Sequence, residues 1–303
     1  MNDLNSNKSK WMFIVNSTAG HGKSGQKINQ LILNLNRYSF DYEIALTKYP
    51  GHAREMARQA ADSGFCRIIA VGGDGTANEV VNGIMQSGKQ ELVVFGMIPE
   101  GTGNDFARIF NLPHEIKRAV QRLQQNKIIQ LDLGRVEGHY FLNSLGLGFD
   151  AVVAKNVNAL QHLKGFSRYL VAIAQAMMRY QNYQATLQIG ESSRKIDFIL
   201  FSVGNGQYCG NGFRLTPNAK PDDGLLDIGI VSGLTRKRLL RLLPSARRGK
   251  HLQQPEVEVL QAPKFTICAE QPLPLYLDGE IPLLENSNQI TVEVLKNSLR
   301  CLT

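Results

Sequence analysis

Apolar residues recur along the first 130 positions in short runs, separated by amphipathic stretches. Trp11 to Val15, Tyr42 to Thr47, Arg67 to Val71 and Leu92 to Pro99 are too short for helices and suit strands of a buried sheet. Between them the spacing changes. Gly25 to Leu35 reads as a helix. So does His52 to Ser63, where Ala53, Met56, Ala57 and Ala60 share one face. After Arg67 to Val71, the apolar positions Val80, Val81, Ile84 and Met85 again have helical spacing. Strands alternating with helices predict a βαβ series, hence a mostly parallel sheet covered on both faces.

Beyond about residue 130 the pattern shifts. Ile128 to Leu133, Ala185 to Ile189, Lys195 to Val203, Leu225 to Val231, Val257 to Val259, Lys264 to Cys268 and Gln289 to Leu295 read as strands. Several alternate apolar with polar residues, as half-buried antiparallel strands do. Helical interruptions fall near 165–181 and 235–243. The expected fold is α/β plus all-β: a Rossmann-like α/β nucleotide-binding domain followed by a β-sandwich. A length of 303 residues accommodates two such domains.

The chemistry concentrates on two turns. Gly72-Gly73-Asp74-Gly75-Thr76 lies between a predicted strand and a predicted helix. Glycine lets backbone approach a phosphate closely, and the helix N-terminus offers unpaired N–H groups. A carboxylate there would repel a phosphate unless it held a metal ion or took a proton. The combination points to phosphoryl transfer rather than phosphate binding alone. Glu100-Gly101-Thr102-Gly103-Asn104-Asp105 repeats the logic after the strand ending at Pro99, with Asn104 or Asp105 suited to capping the next helix. Two such turns at the carboxyl ends of neighbouring parallel strands can frame one nucleotide.

The net charge of +8 favours anionic partners. Thr235 to Lys250 holds seven basic residues and no acid, with leucines interleaved. Arg236, Lys237, Arg238 and Arg241 could dock on anionic headgroups, or the helix could simply bury its leucines in the protein. No nucleic-acid motif or interleaved aromatics accompany this charge, so nucleic acid is not an expected partner. Cys66, Cys209, Cys268 and Cys301 are scattered, with no zinc spacing, and suit a reducing cytoplasm. No stretch has the length and apolarity of a spanning helix or signal peptide. A homodimer is the form expected if the chain assembles.

These turns belong to a longer series: NSTAG at 16–20, GGDGTANEVVNG at 72–83, PEGTGNDFAR at 99–108, FLNSLGLGFDA at 141–151, VGNGQYCGNGFRLTPNAKPDDGLLDI at 203–228 and LDGE at 277–280. In that order and over almost the whole chain, the series resembles the diacylglycerol kinase catalytic-domain family, specifically its soluble bacterial lipid-kinase branch. GGDGT alone is shared with NAD kinases and phosphofructokinases. The resemblance implies an ATP-binding domain over 1–131, rejoined by a tail at about 296–303, and a β-sandwich over 132–295. It implies Mg-ATP as phosphate donor and a lipid hydroxyl, that of diacylglycerol or a related lipid, as acceptor. The enzyme would act in the cytoplasm, peripheral to the inner face of the membrane. An NAD kinase-like soluble-metabolite kinase and a non-catalytic nucleotide- or lipid-binding regulator are the alternatives.

The resemblance assigns residues as well. Asn16, Ser17, Thr18 and Gly20 match the first nucleotide-contacting turn, although the family usually has Pro at the position of Ser17. A basic residue that often follows that turn would be His21 or Lys23. A P-loop reading of Gly22-Lys23-Ser24 fails because Ser17 stands where that motif needs glycine. Gly72, Gly73, Gly75 and Thr76, with Gly101, Thr102, Gly103 and Asn104, would surround the phosphates. Asp74, as metal-positioning group or base, and Asp105, shaping the loop or the acceptor site, are catalytic candidates. Asp223, with the carbonyls of Lys220 and Leu225, would hold a structural Mg2+; by itself Asp222 to Asp227 reads equally as a solvated turn. Glu280 is the other candidate for general base.

Overall fold

The computed structural model describes residues 10–16, 24–160, 163, 165–179, 181–282 and 288–303. The chain divides into two compact units. Unit 1 comprises residues up to Leu131 together with Asn297–Thr303, and unit 2 is Asp132–Lys296.

Unit 1 is built on a parallel sheet. β1 (Trp11–Val15) lies between β2 (Tyr42–Leu46) and β3 (Arg67–Gly72), and β4 (Val94–Pro99) follows β3. On the far side of β4 runs the end of β15 (Gln289–Leu302), where Arg300 and Cys301 pair in parallel with Val94 and Phe95. The helices are α1 (Ser24–Arg37), α2 (His52–Asp62), α3 (Asp74–Gln86), α4 (Asp105–Ile109) and α5 (Ile116–Gln124). Phe13, Val15, Ile69, Val71 and Ile98 pack with Leu31 and Leu35 of α1 and with Val120 and Leu123 of α5. Their chain neighbours Ile14, Ile68 and Ala70 are also fully buried. A sheet buried on both faces produces the near-continuous apolar runs seen in the sequence. Helix α3 starts at Asp74, ahead of the apolar positions that announce it.

Unit 2 is a β-sandwich. One five-stranded sheet has the order β12 (Val257–Ala262), β11 (Leu226–Val231), β10 (Leu200–Gly204), β7 (Ser144–Gly148), β14 (Leu275–Leu277), antiparallel throughout. The other sheet contains β9 (Ser192–Phe198), β8 (Tyr183–Ile189), β13 (Lys264–Cys268) and the start of β15. β5 (Ile128–Val136), which begins in unit 1, pairs with β15 and with β6 (His139–Phe141). Leu145, Leu147, Phe201, Val203 and Ile228 from the first sheet meet Leu187, Phe198, Phe265 and Ile290 from the second in one core. Helices α6 (Phe149–Ala159), α7 (Gly165–Met178) and α8 (Arg236–Arg247) contribute to a second core with Ile199, Leu200 and Val231.

The run Lys195 to Val203 is two strands, not one. Phe198 ends β9, which pairs with β8, and Leu200 begins β10, between β7 and β11. An apolar run carries no mark of a change of sheet when both sheets face the same core. Among the described residues no helix is long and apolar enough to cross a membrane.

Candidate active site

In unit 1 the described candidate residues meet at the carboxyl ends of β1, β3 and β4. Gly72 ends β3, and a Cβ there would fall 2.4 Å from the Thr76 hydroxyl oxygen and 2.8 Å from its Cβ. Only glycine therefore admits the buried Thr76 side chain. The Thr76 hydroxyl accepts a bond from Asn16 Nδ2 at 3.0 Å, tying the first turn to the second. The third turn is held more closely still. A Cβ on Gly101 would lie 2.4 Å from Gly73 Cα, so the two turns touch backbone to backbone. Glu100 N donates to Gly72 O at 2.8 Å across the same junction.

Asp74 opens α3, but its carboxylate turns to the other loop. Its Oδ1 accepts from Phe106 N at 3.0 Å. Burial raises the Asp74 carboxyl above the ordinary Asp range, against the lowering effect of the backbone N–H groups of Phe106, Asp105, Asn104 and Asp74 itself. Asp74 thus satisfies the start of α4, a helix whose N-cap residue, Asn104, makes no side-chain cap. Asn104 does not cap the helix with its side chain, because it is used otherwise. Its backbone is left-handed (φ 51°), which Asn tolerates better than most residues. Its amide clasps Gly101, accepting from Gly101 N at 3.0 Å and donating to Gly101 O at 2.8 Å. Asp105 is buried, with Oδ1 3.7 Å from Arg108 Nε. Arg108 also donates to Gly103 O at 3.0 Å. Thr102 is exposed at the crest of the loop, and Gly75 is partly exposed in the first turn of α3.

Ser17, Thr18, Gly20, His21 and Lys23 lie outside the described residues. Within them, one group that the sequence motifs do not include, Lys27, shares a cleft with Asn16. Lys27, in α1, is ion-paired with Glu100. Both line a narrow cleft with Asn16, Val15, Val71 and Ile116. Helical register from Ser24 places Lys27 in the first turn of α1, the signal that could have found it. Glu79 acts in the architecture of the unit. Its carboxylate accepts from Gly51 N at 2.9 Å and Ala53 N at 3.0 Å, capping α2.

In unit 2, Asp223 is exposed and its Oδ1 accepts from Leu225 N at 3.0 Å. Next to it the buried Asp132 accepts from Gly224 N at 2.6 Å. Asp227 is raised above the usual Asp range, first by burial and then by the negative charge of Asp223, with Lys220 acting in the opposite sense. Among the described residues no three His, Cys, Asp or Glu side chains converge as a metal cluster. A cation at Asp223 would therefore depend on backbone carbonyls and water.

The LDGE segment separates into two roles. Asp278 is buried and left-handed (φ 48°). Its carboxylate accepts from Leu142 N at 2.6 Å and from Asn143 N and Ser144 N at 2.9 Å each. Glu280 follows on a tight turn, closed by Leu277 N to Glu280 O and Glu280 N to Leu277 O, both 2.8 Å, and its side chain is exposed. Further into unit 2, burial holds the Asp150 carboxyl and the Tyr276 hydroxyl well above their ordinary values.

Residues 10–136 match the model of the diacylglycerol kinase catalytic domain, and residues 143–302 match that of the YegS C-terminal NAD kinase beta sandwich-like domain. The chain belongs to the diacylglycerol kinase catalytic-domain family. Its relatives in that family include a Chromohalobacter salexigens protein named "Probable lipid kinase YegS-like". That protein is 33% identical over 269 residues, spanning 88% of this chain and 86% of the relative. A Staphylococcus carnosus protein named diacylglycerol kinase is 27% identical over 268 residues, spanning 88% and 87%. A crystal structure of a diacylglycerol kinase from Bacillus anthracis superposes with a TM-score of 0.77 at 26% identity, covering 97% of this chain and 96% of the other. Membership makes the chain a phosphotransferase of the lipid-kinase type, and its fold is the family's α/β domain followed by a β-sandwich-like domain.

Proposed function

We propose that the protein transfers the γ-phosphate of Mg-ATP to a lipid hydroxyl, that of diacylglycerol or a closely related lipid, at the cytoplasmic face of a membrane. The observation that carries this reading is the Gly73–Gly101 contact. It fuses two glycine-rich turns into one backbone surface at the ends of parallel strands, with the Asp74 carboxylate fixed beside it. Phosphoryl transfer relies on positioning and charge neutralisation more than on covalent chemistry, and a backbone surface of this kind supplies positioning.

In this reading the N–H groups of Gly73, Gly75 and Thr76 and those around Thr102 and Gly103 receive the phosphates. Asn16 holds the Thr76 hydroxyl, and Lys27, paired with Glu100, braces α1 against the third turn. Asp74, bound by backbone N–H groups, holds the two loops in register and would meet Mg-ATP through its metal ion or as the neutral acid. Glu280, exposed on a turn that Asp278 anchors, takes the proton of the acceptor hydroxyl. Asp105 shapes the loop through Arg108. For Mg2+ the donor chemistry fits: Asp223 and Asp227 crowd like charge together, and the carbonyls of Lys220 and Leu225 are hard oxygen ligands. Bound there or on the phosphates, Mg2+ supplies charge neutralisation. Cys66, Cys209, Cys268 and Cys301 form no disulfide, which agrees with a reducing compartment.

The test is transfer of labelled phosphate from Mg-ATP to diacylglycerol, phosphatidylglycerol, sphingosine and ceramide in mixed micelles, with NAD as the soluble comparator. Label in one lipid, lost in Asp74→Ala, is expected. Label in NAD alone, or ATP binding without transfer to any acceptor, would overturn the proposal.

A further inference from the structure

Helix α8 is amphipathic in an unusual sense. Leu239, Leu242 and Ala246 are buried in unit 2. The opposite side carries Lys237, Leu240, Arg241, Pro244 and Arg248, all exposed, and Lys250 is exposed just beyond the helix. The spacing of these positions by three and four residues sets them on one face. Leu240 is 49% exposed in the midst of cations. Pro244 has no N–H to give the Leu240 carbonyl, so that acceptor is left on the same side.

Some cations of the stretch are already engaged, Arg247 over the Phe213 ring at 5.9 Å among them. Arg238 donates to Glu256 at 2.9 Å and to Gln254 at 2.7 Å, fastening α8 to the segment before β12. By contrast, Lys237, Arg241, Arg248 and Lys250 have no acidic partner within salt-bridge distance among the described residues. The helix itself contains no acid. A folded surface that keeps several cations uncompensated around one exposed leucine is complementary to anionic headgroups above hydrocarbon.

We infer that the outer face of α8 is a docking surface for an anionic lipid bilayer, with Lys237 and Arg241 contacting headgroups and Leu240 inserting between them. The inference rests on the lipid-acceptor reading only for its purpose, because the surface itself is a property of α8. Nucleic acid is the less favoured anionic partner, since the exposed positions present no aromatic side chain for base stacking.

The experiment is co-sedimentation of the full chain with vesicles of phosphatidylcholine containing phosphatidylglycerol, without ATP. The unsubstituted protein should bind these vesicles, ignore pure phosphatidylcholine, and release as salt shortens the screening length below about 8–10 Å. Lys237→Glu/Arg241→Glu should weaken binding at least about 25-fold, taking roughly fivefold per cation lost. Lys117→Glu/Lys195→Glu, with the same change in net charge on other exposed positions, should bind as the parent does. Leu240→Ser should weaken binding at constant charge. Equal binding by the two charge variants would overturn the inference, as would capture by a DNA duplex with no binding to vesicles. Transfer to a lipid dispersed in neutral-detergent micelles should survive Lys237→Glu/Arg241→Glu. Vesicle binding in the expected pattern without transfer to any lipid would uphold the docking surface while refuting the acceptor reading.

Discussion

Replacing Asp278 tests whether the exposed Glu280 owes its position to a buried neighbour. The Asp278 carboxylate accepts three backbone N–H bonds, from Leu142, Asn143 and Ser144, and Asp278 N returns one to Ser144 O at 2.9 Å. Asp278→Ala leaves three buried amides without their acceptor. At about 1–3 kcal/mol for each unsatisfied group, and with water replacing part of the loss, we expect destabilisation of about 3–6 kcal/mol. That is a large share of the roughly 5–15 kcal/mol typical of a native fold. Asp278→Asn keeps one acceptor oxygen but turns an amide NH2 toward an N–H, and should cost about 2–4 kcal/mol. Urea denaturation followed by circular dichroism gives the order wild type, Asn, Ala. Hydrogen exchange over residues 142–144 locates the effect. Phosphate transfer should fall in Asp278→Asn although Glu280 is intact. Unchanged exchange at 142–144, or a denaturation midpoint for Asp278→Ala equal to the parent's, would refute the anchoring role.

Other expectations follow from the first unit and from Glu280. Because burial raises the Asp74 carboxyl, transfer should decline on acidification from a pH above the ordinary Asp range, as a pH–rate profile would show. The stability sign is opposite: a carboxyl raised in the folded state costs stability as pH rises through its folded value, so Asp74→Asn should melt no lower than the parent at neutral pH while losing transfer. Gly101→Ala would place a Cβ 2.4 Å from Gly73 Cα; overpacking of about 1–3 kcal/mol should part the two turns and raise KM for ATP more than KM for lipid. Glu280→Gln should lower kcat by about 10²–10⁴-fold, the range for a lost general base, with no change in thermal midpoint because the side chain is exposed.

The parallel sheet of unit 1 was legible because burial on both faces writes unbroken apolar runs into β1, β3 and β4, with helical spacing between them. The two glycine-rich turns were legible by composition. What Asp74 does there was not. Its N–H partners lie some thirty residues away in the other loop, and no local pattern distinguishes a residue that satisfies its own helix from one that satisfies a neighbour. Glu79, reaching back to Gly51 and Ala53, escaped notice for the same reason. In unit 2, β7 was missed because Gly146 and Gly148 break the β-branched signature that marks a buried strand. The LDGE motif was visible as a unit. The division between a buried anchor at Asp278 and an exposed acid at Glu280 depends on the left-handed backbone at Asp278, which residue type alone does not reveal.

The return of residues 297–303 to the first sheet has a consequence for biosynthesis. β4 acquires its outer neighbour only after the 165 residues of unit 2 have been made, a delay of about 8–33 s at translation rates of about 5–20 residues per second. Throughout that interval the nascent unit presents an unpaired strand edge beside an apolar surface that Leu299, Cys301 and Leu302 will later cover. The emerging chain should therefore engage chaperones through its first half and release them only once the final strand has docked.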